Sequence, residues 1–365
     1  MSELSKDRVK SIINAFMDPH LETSFGEAGV VDSVSVNGDS VDVALTLPYP
    51  AAKYQSTLSS ELQQALISGT AHEATQVTLS VTTKIIAHSV QQGVKRLEKV
   101  KNIIAVASGK GGVGKSTTSV NLALSLAAEG ATVGLLDADI YGPSQPRMMG
   151  LSGQPESSDG KTIEPMENYG VQTMSIGFLI EEDTPMVWRG PMVTQALEQL
   201  LNDTNWKDLD YLLIDLPPGT GDTQLTLAQK VPVSGAVIVT TPQDIALLDA
   251  RKGLKMFEKV AVPILGIVEN MSTHICSSCG HEEHIFGAGG GSRMAEEANV
   301  NLLGALPLEM SIRLQADSGK PTVVAEPDSR TSTIYREIAR KAAARLSKQA
   351  KDYSAKFPKI VIQNT

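Results

Sequence analysis

The chain is poor in cysteine. Its 365 residues include two, Cys276 and Cys279, in a Cys-x-x-Cys arrangement. A disulfide framework is thereby excluded, and in a reducing compartment this spacing points to metal or redox chemistry. Long apolar runs are also missing. No stretch approaches the ~18 consecutive apolar residues of a membrane span. Residues 1–10 are polar and lack the apolar core of a secretory signal. A cytoplasmic protein is therefore expected. Nor is there an excess of positive charge. The net charge is -9 and the pI about 5.3, which leaves no overall electrostatic case for nucleic acid or an anionic membrane as partner. Internal repeats and low-complexity segments are absent. The hydrophobic fraction of 41% and charged fraction of 20% are those of a soluble globular protein long enough for two domains.

Residues 1–83 read as a small α+β domain. Val9, Ile12, Ile13 and Phe16 recur at helical spacing over 6–17. Residues 30–36 and 41–47 alternate as strands around Asn37-Gly38-Asp39, a hairpin signal. A second helix is expected over 54–67, with Leu58, Leu62, Leu66 and Ile67 on one face, and a third strand over 76–82. This αββαβ order makes a layer of sheet and helices. The domain has no cysteine and no metal-ligand cluster, so it shows no chemistry of its own. Residues 84–101 read as a linker or linking helix, with Lys95, Arg96, Lys99 and Lys101 on a solvated face.

Over residues 102–353 apolar strands alternate with helical patterns. The strands are expected at 103–107, 132–136, 211–214, 236–240, 264–268 and 301–305. The alternation predicts an α/β domain, a mostly parallel sheet with helices on both faces and ligands at the carboxyl ends of its strands. An insertion rich in proline and glycine, 150–186, is expected to hold a short hairpin. A closing helix over 328–352 precedes a frayed tail, 354–365.

This second domain is organised around Gly109-Lys110-Gly111-Gly112-Val113-Gly114-Lys115-Ser116-Thr117. A buried strand precedes it and a helix, 117–128, follows. Strand, glycine loop ending in Gly-Lys-Ser, then helix is the context of a phosphate loop. The glycines let backbone N–H groups converge on phosphate oxygens, and the helix N-terminus adds partial positive charge. Lys115 is placed to reach the β- and γ-phosphates, and the Ser116 hydroxyl to ligate Mg²⁺.

Other strand ends complete the site. Asp137-Ala138-Asp139 closes one strand, where a carboxylate can orient or deprotonate an attacking water. Two acids one residue apart on extended chain point opposite ways, so their roles should differ. Asp215 ends the next apolar strand and is expected to hold Mg²⁺ directly or through water. Gly219, just beyond it, would present its N–H to the γ-phosphate and move on hydrolysis. Asn270 ends a further strand, and its amide carries the donor and acceptor that adenine requires. Residues 240–244 read as a strand-to-helix turn capped by Asp244.

Lys110, directly after the first glycine of the loop, makes the motif specific. The loop resembles the deviant phosphate loop of the ATPase group that includes nitrogenase iron protein, MinD and ParA. Together with Asp-Ala-Asp-Ile-Tyr-Gly-Pro-Ser at 137–144, Asp-Leu-Pro-Pro-Gly-Thr-Gly-Asp at 215–222 and Cys-x-x-Cys-Gly at 276–280, it is similar to the Mrp/ApbC family of iron–sulfur cluster carriers. The likeness is to the bacterial form with an added N-terminal domain of iron–sulfur assembly type. It covers residues 100–345 strongly and 1–83 more weakly. It implies a slow ATPase in which Lys115, Ser116 and Thr117 bind phosphates and Mg²⁺, Lys110 acts across a dimer interface, Asp139 positions the water, Asp215 supports Mg²⁺ and Asn270 reads adenine. One departure stands out: relatives of the N-terminal domain often carry a cysteine after the second strand, where this chain reads Leu47-Pro48-Tyr49-Pro50-Ala51-Ala52.

Two thiolates cannot fill the four sites of a cubane cluster, whereas two chains related by a twofold axis supply four. The resemblance thus implies a homodimer holding a [4Fe-4S] cluster between Cys276 and Cys279 of each chain and delivering it to apo iron–sulfur proteins. Three readings compete. Cys276, Cys279, His281 and His284 would make a zinc site within one chain; the thiols would form a redox couple, without a thioredoxin-like context; or the pair is idle. His274 also flanks the pair, and the glycine-rich 287–291 beyond reads as flexible. At the level of the whole protein the alternatives to the carrier are a MinD/ParA-like positioning ATPase and a zinc-binding P-loop scaffold.

Overall fold

A computed structural model describes residues 4–70, 76–180, 190–276 and 278–351. The chain opens with α1 (Lys6–Ala15), the two-residue strands β1 (Met17–Asp18) and β2 (Thr23–Ser24), and the short α2 (Phe25–Ala28). The hairpin β3 (Val31–Asn37) and β4 (Ser40–Leu47), then α3 (Gln55–Gly69) and β5 (Gln76–Thr83), complete the N-terminal domain. Its sheet has the order β3-β4-β5, antiparallel then parallel. Gly38 turns the hairpin at φ 65°, a conformation glycine adopts without steric cost. Val41, Val43, Leu45 and Leu47 alternate inward on β4 and share one buried core with Leu58, Leu62 and Leu66 of α3, spaced by one helical turn.

The large sheet begins with β6 (Val100–Ala107), followed by α4 (Lys115–Ala128), β7 (Val133–Asp137) and α5 (Gln145–Met148). The insertion supplies β8 (Met166–Asn168) and β9 (Val171–Ser175), after which come α6 (Gly190–Asp203), β10 (Leu209–Asp215) and α7 (Asp222–Lys230). Next are β11 (Gly235–Thr240), α8 (Asp244–Lys259), β12 (Ile264–Glu269), and the small pair β13 (His274–Ile275) and β14 (Glu282–Glu283). The chain closes with α9 (Gly290–Glu297), β15 (Leu302–Ala305), α10 (Met310–Asp317), α11 (Thr322–Ala325) and α12 (Arg330–Ser347). The sheet runs β15-β12-β11-β6-β10-β7-β9-β8, parallel throughout except for β8 at its edge. Strands β7 and β11 are buried at every position, as a parallel sheet covered on both faces requires. Among the described residues no helix is long and apolar enough to cross a membrane.

Several local expectations change. The expected hairpin in the insertion is β8–β9, but β9 also pairs with β7 and extends the main sheet; residues 181–186 of the insertion, and the tail 354–365, lie outside the described residues. The segment 84–99 contains no helix. Gly93 adopts φ 85°, and the segment is tied down as irregular chain with turns: Asn102 donates to the Ile86 carbonyl and Gln91 to those of Ala228 and Val231. Asp244 is the first residue of α8, behind the N-cap Gln243, which makes no side-chain capping bond.

The N-terminal domain is held against the large sheet through a buried polar network. Arg340 on α12 donates from Nη1 to Glu129 Oε1 and from Nε to His20 Nε2 at 2.9 Å, and its guanidinium lies 5.1 Å from the centroid of the Tyr54 ring. The backbone N–H groups of Ala52 and Lys53 donate to the Glu129 carbonyl and Oε2, at 3.1 and 2.7 Å. Tyr49 donates to Asp18 Oδ2 at 2.6 Å. Burial, and then the charges of Arg340 and Lys341, hold His20 down to about 3 from 6.5. A histidine neutral when folded and protonated when unfolded makes stability fall as pH drops from about 6.5, by up to about 1.4 kcal/mol per pH unit. Denaturant unfolding at pH 7 and pH 5 should show that slope, and His20→Gln should flatten it.

Candidate functional site

The glycine loop sits at the carboxyl end of β6, between β10 and β11 in the middle of the sheet. Close packing or backbone conformation explains Gly109, Gly112, at φ 80°, and Gly114. A Cβ on Gly109 would lie 2.1 Å from the backbone carbon of Asp249, and one on Gly114, which has φ 80°, would lie 2.1 Å from Asn270 Nδ2. Gly111 and Gly112 are exposed, and Val113 is buried as the loop's apolar anchor. α4 starts at Lys115, two residues before the expected start. Thr117 is half-buried, and its carbonyl accepts from Asn121 Nδ2.

Lys115 is buried, and its Nζ lies 2.6 Å from Asp215 Oδ1 and 3.2 Å from Ser116 Oγ. Ser119 also donates to Asp215 Oδ1 at 2.9 Å. The loop lysine, the Mg²⁺-ligand hydroxyl expected at Ser116 and the strand-end carboxylate are thus within one hydrogen-bond shell. Lys110 is half-buried; its carbonyl accepts from Ser108 Oγ, and its ammonium makes no ion pair among the described residues.

The two acids of the β7 end do differ. Asp137 is fully buried and acts as the hub of its loop. Its Oδ1 accepts from Asp139 N, and its Oδ2 from Ser144 N, Gln145 N and the Ser175 hydroxyl. Burial, reinforced by the charge of Asp215, pushes its carboxyl up to about 7. Asp139 is half-buried, and burial raises its carboxyl too, while the positive charge of Lys115 opposes the rise.

Gly219 has φ 104°, and its N–H donates to the Ser108 carbonyl at 3.0 Å. The N–H expected to face a phosphate is thus held by the chain itself. The Asn270 side chain is turned toward the loop, with Nδ2 donating to the Val113 carbonyl at 2.9 Å. Gln145 was not singled out by the sequence. It is buried and donates to both Asp215 and the Ser116 carbonyl. Its only sequence signal was its position directly after the Asp137–Ser144 loop.

Cys276 and Cys279 occupy the tip of the β13–β14 hairpin. Cys276 N donates to the His281 carbonyl at 2.9 Å, and Gly280 N to the Cys276 carbonyl at 2.8 Å. Cys276 is half-buried and Cys279 exposed. The backbone N–H groups of Ser278 and Cys279 lower the Cys276 thiol from its ordinary value, favouring the thiolate that binds metal. The neighbouring histidines face elsewhere. The Nδ1 atoms of His274 and His284 lie 3.0 Å from the carbonyls of Leu308 and Ser272, and His281 is solvent-facing beside Glu283. Among the described residues no three His, Cys, Asp or Glu side chains are close enough to hold a metal, so Cys276, Cys279, His281 and His284 are not gathered into a tetrahedral site. The run 287–291 is only partly loop. Gly290 and Gly291 are buried in α9, where a Cβ on Gly290 would lie 2.7 Å from the Pro242 carbonyl oxygen.

A family model described as NUBPL iron-transfer P-loop NTPase matches residues 99–343, and one described as iron-sulfur cluster assembly protein matches residues 6–79. The chain is 61% identical over 263 residues to the iron-sulfur cluster carrier protein of Pseudomonas fragi, covering 72% of this chain and 92% of that one. It is 50% identical over 345 residues to the iron-sulfur cluster carrier protein of Escherichia coli, covering 94% and 93%. Among solved structures, the nucleotide-binding protein from Archaeoglobus fulgidus in complex with ADP matches with TM-score 0.56 and 39% identity, covering 64% of this chain and 91% of that one. The cell division ATPase MinD of Pyrococcus furiosus, 22% identical with TM-score 0.50 over 66% of this chain and 97% of its own, shares the fold.

Proposed function

We propose, from the premise that the chain belongs to the NUBPL iron-transfer P-loop NTPase family, that it is an ATP-hydrolysing iron–sulfur cluster carrier. Two copies hold one [4Fe-4S] cluster as cargo between their cysteine hairpins and pass it to apoproteins in the cytoplasm, engaging neither nucleic acid nor membrane. The observation that carries this reading is the ligand supply at the hairpin. Two thiols stand at one accessible tip, and no third ligand from the described residues approaches them. A cubane takes four thiolates, which a twofold pair of chains provides. The same count weakens the reading as a one-chain zinc scaffold.

The loop residues have distinct tasks in this scheme. Gly109, Gly111, Gly112, Val113, Gly114 and Thr117 cradle phosphates with backbone N–H groups, and Lys115 exchanges its bond to Asp215 for one to the β- and γ-phosphates. The oxygen donors Ser116 and Asp215 suit Mg²⁺, and Gln145, whose Nε2 is bonded to Asp215 and the Ser116 carbonyl, has its buried Oε1 without a partner among the described residues. Mg²⁺ bound there with the nucleotide neutralises charge on the phosphate oxygens. Asp139 orients the attacking water, Gly219 trades Ser108 for the γ-phosphate, and Asn270 reads adenine. Lys110, without an ion pair among the described residues, reaches across the dimer. Hydrolysis is slow because the site is complete only in the dimer, and nucleotide acts as a switch on cluster retention.

Anaerobic reconstitution tests the reading. Wild type should take up about two irons per chain with equal sulfide, half of one cubane. The Cys276→Ala/Cys279→Ala variant should take up close to none. Unchanged iron in the variant would sink the assignment, and stoichiometric zinc in place of iron would redirect it to a one-chain site.

A further inference from the structure

Gln145 is the first residue of α5 and is fully buried. Its backbone N–H donates to Asp137 Oδ2 at 3.0 Å, which fixes where the residue sits. Its side-chain Nε2 then donates to two acceptors at once, the Ser116 carbonyl at 3.1 Å and Asp215 Oδ2 at 2.9 Å. Asp215 Oδ1 is already engaged by Lys115 and Ser119. The remaining end of the amide, Oε1, is buried with no partner among the described residues. Buried amide oxygens are almost always paired, so an unpaired one on a side chain bonded to Asp215 and to the Ser116 backbone calls for a donor that arrives with something else.

We propose that Gln145 is a positioning residue for the nucleotide-bound Mg²⁺. Its Nε2 ties Asp215 to the backbone of Ser116, so that carboxylate and hydroxyl keep one separation. Its Oε1 accepts a hydrogen bond from water in the Mg²⁺ hydration shell. Mg²⁺ retains several waters when it binds beside phosphates, and these are the donors such a site offers. The inference rests on the Mg²⁺–nucleotide reading of the loop given above. A side chain needed only for packing would be served equally by an apolar residue of the same length.

The test is binding of fluorescently labelled ADP to the full chain, with Mg²⁺ titrated at fixed nucleotide and a parallel measurement in EDTA. Gln145→Leu should raise the Mg²⁺ midpoint about 10-fold or more, the usual effect of losing an outer-shell partner, and change affinity in EDTA by less than about twofold. Gln145→Met keeps the length without the hydrogen bonds; it should behave alike and guards against loss of the fold, which melting curves check. A wild-type Mg²⁺ midpoint in both variants, or an equal loss in EDTA, overturns the inference alone. Wild-type binding that does not respond to Mg²⁺ overturns the metal–nucleotide reading and the inference with it.

Discussion

Replacing Arg340 with alanine is expected to destabilise the chain by about 3–5 kcal/mol, the cost of leaving one partner of a buried ion pair alone. Glu129 is the C-cap of α4, the helix that begins at the phosphate loop. A carboxylate at a helix C-terminus is unfavourable to the helix dipole, and this one is buried as well. Arg340 compensates both costs, and it also donates to His20 and stacks on Tyr54. Without it, Glu129 retains the N–H of Lys53 as a partner for its side chain. Denaturant unfolding measures the total loss. Hydrogen exchange locates it, because the amides of Ala52 and Lys53 point at Glu129 and should lose protection first. Adding Glu129→Gln should recover part of the stability by removing the stranded charge. A loss below about 1 kcal/mol would place the pair among weak surface contacts and contradict its burial.

That network was invisible in the sequence for a physical reason. His20 and Arg340 are far apart in the chain, and neither stands in a motif or a periodic pattern. The parts that were legible carry their cause locally. The apolar runs of β6, β10, β11 and β12 announce buried parallel strands, and Asn37-Gly38-Asp39 announces a hairpin. Lys115, Ser116 and Asp215 are readable together because phosphate loops impose that order, and the structure brings them within one shell. Strand β9 was missed as a member of the main sheet because its five residues look like any hairpin arm; what recruits it is β7 alongside. Residues 84–99 could be read as a linker or as a linking helix, and it is tertiary partners, not local pattern, that fix them as a non-helical linker. Gln145 is polar in a buried place only because Asp215 and Ser116 converge there from elsewhere in the chain.

Lys115→Met should lower ATP hydrolysis by about 10²–10³-fold or more, as loss of a preorganised charge at the transferring phosphate does. The pH dependence of stability provides a second signature that needs no nucleotide. Lys115 faces Asp215 at 2.6 Å, and its charge is one of the factors that lower the Asp137 carboxyl. Even with Lys115 present, burial and the Asp215 charge hold Asp137 up at about 7 instead of 3.8. The folded state therefore binds a proton that the unfolded chain has released, and stability falls as pH rises from about 4 through about 7. Without the ammonium the window extends upward, because the buried Asp137 carboxyl then loses the cation that opposes its rise. The melting temperature of Lys115→Met should thus sit furthest below wild type above about pH 7, where Asp137 must ionise, and approach it near pH 5. A gap independent of pH would mean that Lys115 acts on Asp215 and Asp137 through packing alone. A gap that widens with pH, with hydrolysis lost, places one ammonium in two successive tasks: neutralising the strand-end carboxylates in the resting chain, and the phosphates once nucleotide draws it away.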